Sequence, residues 1–512
     1  MRILGISSQF HDAAVCVIED GKILFAGHSE RYSRVKNDPF LNKEIIEAAL
    51  EHGKPDVVVY HEKHWAKVLR NLTIGNFGFI REPSAKKWVK KFYPQLKGIP
   101  SKTYWHHETH AAAGVMTSNF DECAVICIDA IGEFDTATTW HWNKGNLNKI
   151  HSTKFPSSLG LFYSAMTAHV GLKPMEDEYV LMGMAAYGKP IYETAMHQEF
   201  FVDADCNEPA NVIEMTQNLQ RGVPANYLGR DKCALIDEWG HHSLDYDIAA
   251  SAQAVAEKRI FEYARHALIK TNSKNLVFMG GCALNCVANG NLFKLYENVH
   301  IMPNPGDAGS SLGAAALHYH NTTGNKVNWT GAYLGNNIKG EYPIKKSLAS
   351  LLKGEIFGIA NGRAEFGPRA LGNRTLCADP RGNKIKDKVN KIKRRQEFRP
   401  FAPIILEEHV HEYFEMPGHI SNAPYMQFVA RCKKPKEFPA IVHADGTSRV
   451  QTVNEIEHPE LYELMTQFYN ETGCPMILNT SLNIKGMPIV NDEKDAADFE
   501  EKYNVPVHTK DD

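Results

Sequence analysis

The pattern of apolar and polar positions predicts a chain in which strands and helices alternate. Apolar side chains at helical spacing predict amphipathic helices at residues 42–52 and 247–264, and the run Ala111-Ala112-Ala113 favours a helix there. Short apolar runs bounded by turn residues, which are typical of buried strands, occur at residues 3–6, 13–18, 23–26, 56–60, 123–128, 276–279, 356–360 and 476–478. This pattern is typical of a mixed α/β fold.

The pattern restarts after a stretch rich in Gly, Asn and Lys. Residues 331–347 have this composition and include Pro343, which predicts a linker. A chain of 512 residues is long enough for two or three domains of about 150 residues each. We therefore predict one domain at residues 1–340 and a second at residues 341–512.

Composition and charge exclude several classes of protein. The chain is 43% hydrophobic and 23% charged, as in an ordinary soluble enzyme. With a net charge of −3, the chain as a whole does not attract polymeric nucleic acid or an anionic membrane electrostatically. No apolar run reaches the roughly 18–20 residues that span a bilayer, and the first residues form a strand pattern without a signal-peptide core. The ten cysteines are scattered, so we expect a cytoplasmic protein with reduced thiols.

Two histidines provide the first candidate chemistry. His106 and His110 are four residues apart, so on a helix both imidazoles can reach one metal ion. Glu108 lies two residues after His106, which is the wrong register for a zinc peptidase. Asp129 ends an apolar strand and Asp307 lies in a Gly-rich loop, so two carboxylates could complete a site for a hard or borderline metal. Histidine pairs also occur by chance in a chain with 24 histidines.

Loops that contain glycine and follow strands are the second candidate feature. The backbone N–H groups of such loops can approach phosphate closely. Three loops of this kind occupy residues 5–14, 129–136 and 279–285. Together they fit the duplicated plan of actin-like ATPases, in which two hairpin loops face the phosphates and a Gly-Gly loop faces the adenosine.

The C-terminal part contains a strongly basic segment. Residues 381–400 include nine Lys or Arg and two acidic residues, which is also the composition of a solvated helix face. Arg369 and Arg374 lie near tight Gly turns, and Arg399 lies between apolar neighbours. Since guanidinium groups bind phosphate or carboxylate bidentately, these arginines favour a small anionic ligand. Polar side chains at residues 479–483 either orient such a ligand or cap a turn.

These segments together resemble one family. The motifs that carry the resemblance lie at residues 11–14, 30–36, 106–112, 182–188, 280–285, 367–372, 399–403 and 479–483. The chain resembles the O-carbamoyltransferases of the nodulation and antibiotic-tailoring type, which carbamoylate hydroxyl groups of small molecules. The resemblance extends over almost the whole chain.

The resemblance implies a fold and a reaction. It implies an actin-like N-terminal domain, similar to the tRNA threonylcarbamoyl transferase, and a C-terminal domain similar to the threonylcarbamoyl-adenylate synthase (YrdC-like). ATP and carbamoyl phosphate would form carbamoyl-adenylate in the C-terminal domain, and the N-terminal domain would pass the carbamoyl group to a hydroxylated small-molecule acceptor. A divalent metal, iron in the family with manganese or zinc also compatible, and magnesium bound with ATP are the implied cofactors. The acceptor, a homodimeric state and the role of residues 190–245, which we expect to contribute to the acceptor pocket, stay open.

The resemblance also assigns site residues, position by position. It assigns His11 and Asp12 to catalysis near the acceptor hydroxyl, and His106, His110, Asp129 and Asp307 to the metal. The residues assigned to the nucleotide are Gly132, Gly280, Gly281 and Asn285. The residues assigned to carbamoyl phosphate and ATP are Arg369, Arg399, Arg449, Thr480, Ser481 and Asn483.

The chain departs from the family pattern at a few positions, and other functions compete. Val180 stands where the family often has lysine, Ala130 replaces a common glycine, and Leu482 replaces the usual phenylalanine. A threonylcarbamoyl-type transferase, an actin-fold kinase and an inactive nucleotide-sensing protein are the alternatives. An adenylate-forming second domain argues against the first two, and retention of the site residues argues against the third.

Overall fold

The structure is a computed structural model that describes residues 1–201, 219, 222–223, 227–229, 243–382, 384–397 and 399–511. Residues 190–245, which we expect to contribute to an acceptor pocket, lie for the most part outside the described residues. Phe398, in the predicted segment around Arg399, also lies outside them.

The strands include every predicted apolar run, and further strands of two to nine residues are present. They are β1 (Arg2–Ser7), β2 (Ala14–Glu19), β3 (Lys22–His28), β4 (Val57–Tyr60), β5 (Ser101–Thr103), β6 (Glu122–Ile128), β7 (Asp135–Asn143), β8 (Asn146–Lys154), β9 (Asn275–Met279), β10 (Asn298–His300), β11 (Tyr333–Ile338), β12 (Phe357–Ala360), β13 (Gly362–Glu365), β14 (Arg374–Ala378), β15 (Ala402–Leu406), β16 (Phe414–Glu415), β17 (Phe428–Cys432), β18 (Thr447–Val453), β19 (Met476–Ser481) and β20 (Val507–His508).

The α-helices include both predicted amphipathic segments and the His-containing helix. They are α1 (Ser29–Ser33), α2 (Lys43–Leu50), α3 (His64–Thr73), α4 (Ala85–Phe92), α5 (His106–Thr117), α6 (Leu159–His169), α7 (Glu178–Ala185), α8 (Glu193–Phe200), α9 (Ser243–Thr271), α10 (Cys286–Gly290), α11 (Ser310–Thr323), α12 (Ile344–Leu352), α13 (Ile385–Lys393), α14 (Val410–Tyr413), α15 (Pro459–Thr472) and α16 (Glu493–Tyr503).

The predicted strands and helices are confirmed, and the predicted linker is wrong. Residues 331–347 contain strand β11 and the start of helix α12. Strand β11 pairs antiparallel with β13, so backbone hydrogen bonds hold a Gly- and Asn-containing segment that composition alone assigns to a loop.

The described chain divides into two compact units, and each unit consists of segments that are not consecutive in sequence. Unit 1 contains Met1–Ser7, Ile18–Gly21 and Pro55–Val327. Unit 2 contains Ser8–Val17, Lys22–Lys54 and Asn328–Asp512. The domains at residues 1–340 and 341–512 stay predictions.

Unit 1 contains parallel strands of the type that support a site at their carboxyl ends. Strand β4 pairs in parallel with β1 and with β5. A second, mixed sheet has the order β10-β9-β6-β7-β8, in which β9 is parallel to β6 and to β10. From Cys123 to Ile128 every residue of β6 is buried, as expected for a central strand covered on both faces.

Helices α5 and α11 pack unusually closely in unit 1. A Cβ atom added to Gly313 of α11 would lie 1.9 Å from the carbonyl oxygen of Thr109 in α5. The two backbones can approach only because Gly313 has no side chain. This packing buries α5 almost completely and fixes its position beside β6 and β9.

Unit 2 is built on a mixed sheet in the order β16-β17-β18-β15-β19-β14-β12-β20. Strands β14 and β15 both pair antiparallel with β19, which lies in the interior of the sheet. Its first four residues are buried, and its last two, Thr480 and Ser481, are half-buried. The polar end of β19 therefore lies where neighbouring strands can contribute side chains.

Two further observations bear on expectations from composition. The eight cysteines among the described residues are all free thiols, and all except Cys282 are buried. Within the same residues, no helix combines the length and the apolar character needed to cross a membrane.

Candidate metal centre and basic pocket

The His pair lies at the start of helix α5, as the spacing predicts. His106 and His110 are 3% and 0% exposed. Their Nε2 atoms are 3.1 Å apart because residues i and i+4 of a helix project from the same face. The two imidazoles therefore offer two nitrogen atoms to one point inside unit 1.

Two carboxylates from distant parts of the chain join the imidazoles. Asp129 directly follows β6, and Asp307 begins the 3₁₀ turn Asp307–Gly309 ahead of α11. Asp129 Oδ2 is 3.4 Å from His106 Nε2 and 3.1 Å from His110 Nε2. Asp307 Oδ1 is 3.4 and 3.3 Å from the same two atoms. The structure thus brings together all four predicted metal ligands, and all four are buried.

The spacing of these atoms fits a metal ion. A tetrahedral ion bound at about 2.0–2.1 Å would separate its ligand atoms by about 3.3–3.4 Å. The five separations given above lie between 3.1 and 3.4 Å. Two imidazole nitrogens and two carboxylate oxygens suit divalent iron, manganese or zinc. The donor set therefore fits the implied metal, although it does not select among these ions.

The charges within this group of two histidines and two aspartates also favour a bound cation. Burial lowers the pKa of His106, but attraction to Asp307 and Asp129 outweighs burial and raises it well above its usual value. Burial and the Asp307 charge raise the pKa of Asp129, but hydrogen bonds from His106 and His110 outweigh both and lower it to about 2. Asp129 is therefore ionised at neutral pH and stabilises positive charge at the imidazole pair.

Glu133 fixes the start of the metal-binding helix. This carboxylate is 3% exposed, and both of its oxygens accept the backbone N–H of His106 at 3.2 Å. It also accepts the backbone N–H of Lys63 at 2.8 Å. A negative charge at a helix N-terminus is stabilising, and here it also orients a ligand residue. Glu133 carries no motif in the sequence, where its one signal is an acidic residue in the second glycine-containing loop.

A second group of potential ligands adjoins the first. His61, Glu62 and His106 lie close enough to share an ion, and all three are buried. The Lys67 ammonium, however, donates to both Glu62 oxygens at 3.0 and 3.2 Å. Because Lys67 already neutralises Glu62, we assign no metal to this group.

The predicted nucleotide-binding glycines surround the metal centre. A Cβ on Gly132 would lie 3.2 Å from His106 Cδ2, and one on Gly281 would lie 3.1 Å from Asp129 Oδ1. Gly280 has φ of +91°, and its Cβ would meet the carbonyl oxygen of Ile128 at 2.2 Å. Gly280 has no room for a side chain, and at Gly132 and Gly281 the loops approach the ligand residues closely, as a phosphate-binding loop approaches its ligand.

Asn285 is engaged in a polar network. Its Oδ1 accepts the N–H of Ala288 at 3.1 Å, which caps α10. It also exchanges two hydrogen bonds of 3.0 Å with Gln253 of α9. Tyr163 donates to Gln253 at 2.7 Å. Gln253 lies inside a predicted helix and belongs to no motif, so the sequence does not indicate its role.

A buried lysine forms the centre of the candidate site in unit 2. Lys393, at the end of α13, is 4% exposed. Its ammonium donates to the backbone oxygen of Ser481, to Ser481 Oγ at 3.1 Å and to Asn483 Oδ1 at 2.6 Å. Burial, followed by the charges of Arg395, Arg399 and Lys36, lowers the pKa of Lys393 well below its usual value. The charges that act on Lys393 are thus cationic, which is the environment of an anion-binding site.

Asn479 connects the other segments of this site. Its Nδ2 donates to the backbone oxygen of Ala370 and to Gln451 Oε1, both at 2.8 Å. Ala370 follows Arg369, and Gln451 lies two residues after Arg449 on β18. The structure therefore brings the segments of Arg369 and Arg449 to the strand that carries Thr480 and Ser481.

The predicted anion-binding residues are placed as follows. Arg369, Arg399 and Arg449 are half-buried, as are Thr480, Ser481 and Asn483. The charge of Arg399 lowers the pKa of Lys393. The pKa of His443 falls to about 4, chiefly because of burial, and the charges of Arg449 and Arg399 also lower it. We use the name basic pocket for Lys393, Arg395, Arg399, Ser481 and Asn483 together with the segments of Arg369 and Arg449 that Asn479 joins to β19. In the sequence Lys393 is one of nine Lys or Arg at residues 381–400, and nothing distinguishes it from the others.

The His11–Asp12 loop belongs to unit 2. Asp12 Oδ2 is 3.2 Å from His11 Nδ1, which favours the tautomer with a proton on Nδ1. Gln9 and Asp12 have φ of +76° and +51°, so two residues with side chains adopt the left-handed region in one short loop. Such strain is often concentrated at functional sites.

Family models of known proteins match both the N-terminal and the C-terminal part of the chain. The chain belongs to the carbamoyltransferase family, because the family models described as Carbamoyltransferase N-terminus and Carbamoyltransferase C-terminus match residues 2–316 and 348–509.

Several relatives resemble the chain over most of its length. The uncharacterised protein sll1178 of Synechocystis is 33% identical, over 96% of this chain and 93% of that protein. Nodulation protein NolNO of Sinorhizobium fredii is 30% identical, over 95% and 76%. The 3'-hydroxymethylcephem-O-carbamoyltransferase of Amycolatopsis lactamdurans is 28% identical, over 94% and 93%.

Solved structures resemble the chain only weakly. HypF of T. kodakarensis is 13% identical over 63% of this chain and 48% of that chain, with a TM-score of 0.35. This level is too low to assign a fold, so the actin-like and YrdC-like domains stay predictions.

Proposed function

We propose that the protein is an ATP-dependent O-carbamoyltransferase. It would form carbamoyl-adenylate from ATP and carbamoyl phosphate in the basic pocket, and would then transfer the carbamoyl group to a hydroxyl group of a small molecule. Membership of the carbamoyltransferase family supports the group that is transferred. The single observation that favours the adenylate route is the buried ammonium of Lys393 among the charges of Arg395 and Arg399.

The basic pocket has the properties needed for the first step. Water hydrolyses the bond between the carbamoyl group and phosphate, which gives carbamate and phosphate; a carbamate oxygen then attacks the α-phosphorus of ATP, and pyrophosphate leaves. Both substrates are polyanions, and the negative charge on the departing pyrophosphate grows during the attack. Cations fixed in place before the reaction stabilise this charge. Ser481 and Asn483 hold Lys393 in position through the hydrogen bonds described above.

The second step needs a base for the acceptor hydroxyl. The hydroxyl oxygen attacks the carbamoyl carbon, its proton is taken up, and AMP leaves. We assign the proton to Nε2 of His11, because Asp12 favours a proton on Nδ1 and so leaves the lone pair on Nε2. This assignment of His11 and Asp12 is carried over from the family resemblance.

The centre formed by His106, His110, Asp129 and Asp307 would hold the metal. When bound, the metal would neutralise charge on nucleotide phosphate near the loops of Gly132, Gly280 and Gly281. The chain itself orients the ligands: Glu133 fixes the helix that carries both histidines, and the backbone N–H of Ala130 donates to Asp129 Oδ1 at 2.8 Å.

The test is the identity of the nucleotide product. Purified protein is incubated with ATP and ¹⁴C-carbamoyl phosphate, and the nucleotides are separated. We expect pyrophosphate and ¹⁴C-carbamoyl-adenylate, together with AMP as water hydrolyses the adenylate, in amounts that depend on carbamoyl phosphate. Lys393→Met should abolish AMP formation, and Lys391→Met, a change at an exposed neighbour on the same helix, should not. ADP as the product would instead indicate the actin-fold kinase, and the proposal would be wrong.

A further inference from the structure

Segment 29–39 of unit 2 is tied to the loop that carries His11. Backbone hydrogen bonds join Ser29 N–H to Ala13 O at 2.7 Å, Gln9 N–H to Pro39 O at 2.7 Å and Ala13 N–H to Asp38 O at 2.8 Å. These bonds fix both ends of residues 9–13 to one segment. A shift of the segment therefore moves the His11 loop with it.

Glu30 gives this segment its internal shape. Its buried carboxylate accepts the Lys36 ammonium at 2.9 Å and the backbone N–H of Asn37 at 2.9 Å. Helix α1, which contains Glu30, is thereby connected to residues 36–39, part of which bonds to the His11 loop. The two parts of the segment move as one body as long as these bonds are intact.

Arg31, the next residue, reaches the other loop of interest. Its Nη2 donates to the backbone oxygen of Gly367 at 3.1 Å, and the side chain is 4% exposed. Gly367 begins the loop of residues 367–373, which carries Arg369. Arg31 thus lies between the His11 loop and a loop of the basic pocket, with all of these residues inside unit 2.

The loop of residues 367–373 is held firmly, so it can transmit a displacement. Glu365 is buried, and its Oε1 accepts the N–H groups of Leu371, Asn373 and Arg374 at 2.7, 2.9 and 3.2 Å. Asn479 and Gln451 donate to the backbone oxygens of Ala370 and Leu371. Hydrogen bonds thus hold the residues that follow Arg369, whereas Gly367, two residues before it, accepts the hydrogen bond from Arg31.

The burial of Arg31 is only partly compensated. Its Nε and Nη1 atoms are buried and hydrogen-bond to no described residue, and the nearest carboxylate oxygen of Glu30 is 3.9 Å from Nε. A buried charged group with unsatisfied donors is costly to stability. Such a group is expected where position matters more than stability.

We propose that Arg31 is a positioning residue that couples ligand binding in the basic pocket to the His11 loop. The coupling rests on the proposed function, since it assumes that carbamoyl phosphate and ATP bind beside Arg369. Arg31 touches neither substrate in this account. It holds Gly367 and segment 29–39 at a fixed position relative to each other. The loop that carries His11 therefore becomes ordered when carbamoyl phosphate and ATP bind in the basic pocket.

The test is amide hydrogen exchange followed by mass spectrometry. Carbamoyl phosphate is added with α,β-methylene-ATP, whose bridge cannot release pyrophosphate. In the wild-type protein we expect exchange to slow by about fivefold or more both at residues 367–373 and at residues 9–13. In Arg31→Gln the ligands should slow exchange at residues 367–373 only. Arg31→Lys, which retains one charged donor, should restore part of the effect at residues 9–13.

Arg363→Gln provides the matched control. Arg363 is a half-buried arginine of unit 2, and it donates to the backbone oxygen of Leu24 at 2.7 Å but not to the loop of residues 367–373. The Arg363→Gln protein should be less stable, but the ligands should still slow amide exchange at residues 9–13. A response at residues 9–13 that survives in Arg31→Gln, or that is absent from the wild type, overturns the coupling. Absence of protection at residues 367–373 in the wild type overturns the ligand assignment itself, and with it the proposed function.

Discussion

The Nε2 atoms of His106 and His110 face each other at 3.1 Å inside the protein. Two neutral imidazoles cannot satisfy both atoms at this distance unless one donates to the other, and two carboxylates lie equally close. The arrangement is electrostatically balanced when positive charge lies among the four groups. A divalent cation would supply that charge and would bind one lone pair of each of the four facing atoms.

Removal of one imidazole should remove the metal. We expect His110→Gln to weaken metal binding by more than about 100-fold, because changes outside the ligand shell alone cost about 10–100-fold. Metal content after purification and titration with iron, manganese and zinc would measure this. His141→Gln is the control, since His141 bonds to Glu122 on a neighbouring strand and lies outside the cluster. A stoichiometric metal in His110→Gln would contradict the assignment.

Glu133 should matter for both stability and metal affinity. We expect Glu133→Gln to lower the free energy of unfolding by about 1–2 kcal/mol, because the buried N–H groups of His106 and Lys63 lose a charged acceptor. Metal affinity should fall about 10-fold, because the helix that carries both histidines is less well fixed.

Glu108→Gln is the control for this change. Glu108 accepts the N–H of Trp105 at the same helix end, but it is only half-buried. We expect a small loss of stability and unchanged metal affinity. Equal losses of affinity in the two variants would show that Glu133 has no special role in orienting the ligands.

Gly280 should tolerate no side chain. Gly280→Ala would combine a left-handed φ of +91° with a Cβ at 2.2 Å from Ile128 O. We expect it to lower the free energy of unfolding by more than about 3 kcal/mol. Gly75 has a similar φ of +77° but nothing within 4 Å of its Cβ, so Gly75→Ala should cost only the strain of about 1–2 kcal/mol. Urea denaturation compares the two, and equal costs would mean that the close approach at Gly280 relaxes freely.

Stability should rise with pH because of Lys393. Its pKa in the folded protein lies well below the ordinary 10.5, so the unfolded chain binds more protons in the interval between the two values. The free energy of unfolding should therefore increase with pH across that interval. Urea denaturation at a series of alkaline pH values should show this increase in the wild type and not in Lys393→Met.

Lys391→Met separates this effect from a general loss of charge. Lys391 is an exposed residue of α13, so its replacement should leave the pH dependence unchanged. An identical pH dependence in the wild type and Lys393→Met would show that the ammonium of Lys393 is not perturbed by burial.

Local pattern determined much of the fold. The apolar run of β6 predicts a buried strand, because a strand covered on both faces is apolar at nearly every position. The i,i+4 spacing of His106 and His110 predicts that both side chains lie on one face of a helix. These features depend on neighbours in sequence. The linker prediction failed at residues 331–347 because β11 is stabilised by pairing with β13, a contact that composition does not report.

The sequence by itself determined the elements, the histidine pair and, through its motifs, the family. The tertiary structure alone decided that Asp307, distant along the chain, lies 3.3 Å from His110, that Glu133 caps the helix of both histidines, and that Lys393 is buried against Ser481. It also placed residues 8–17 and 22–54 with the C-terminal part in unit 2. The physical reason is that periodicity encodes local backbone preference, whereas burial and charge pairing depend on contacts between distant segments.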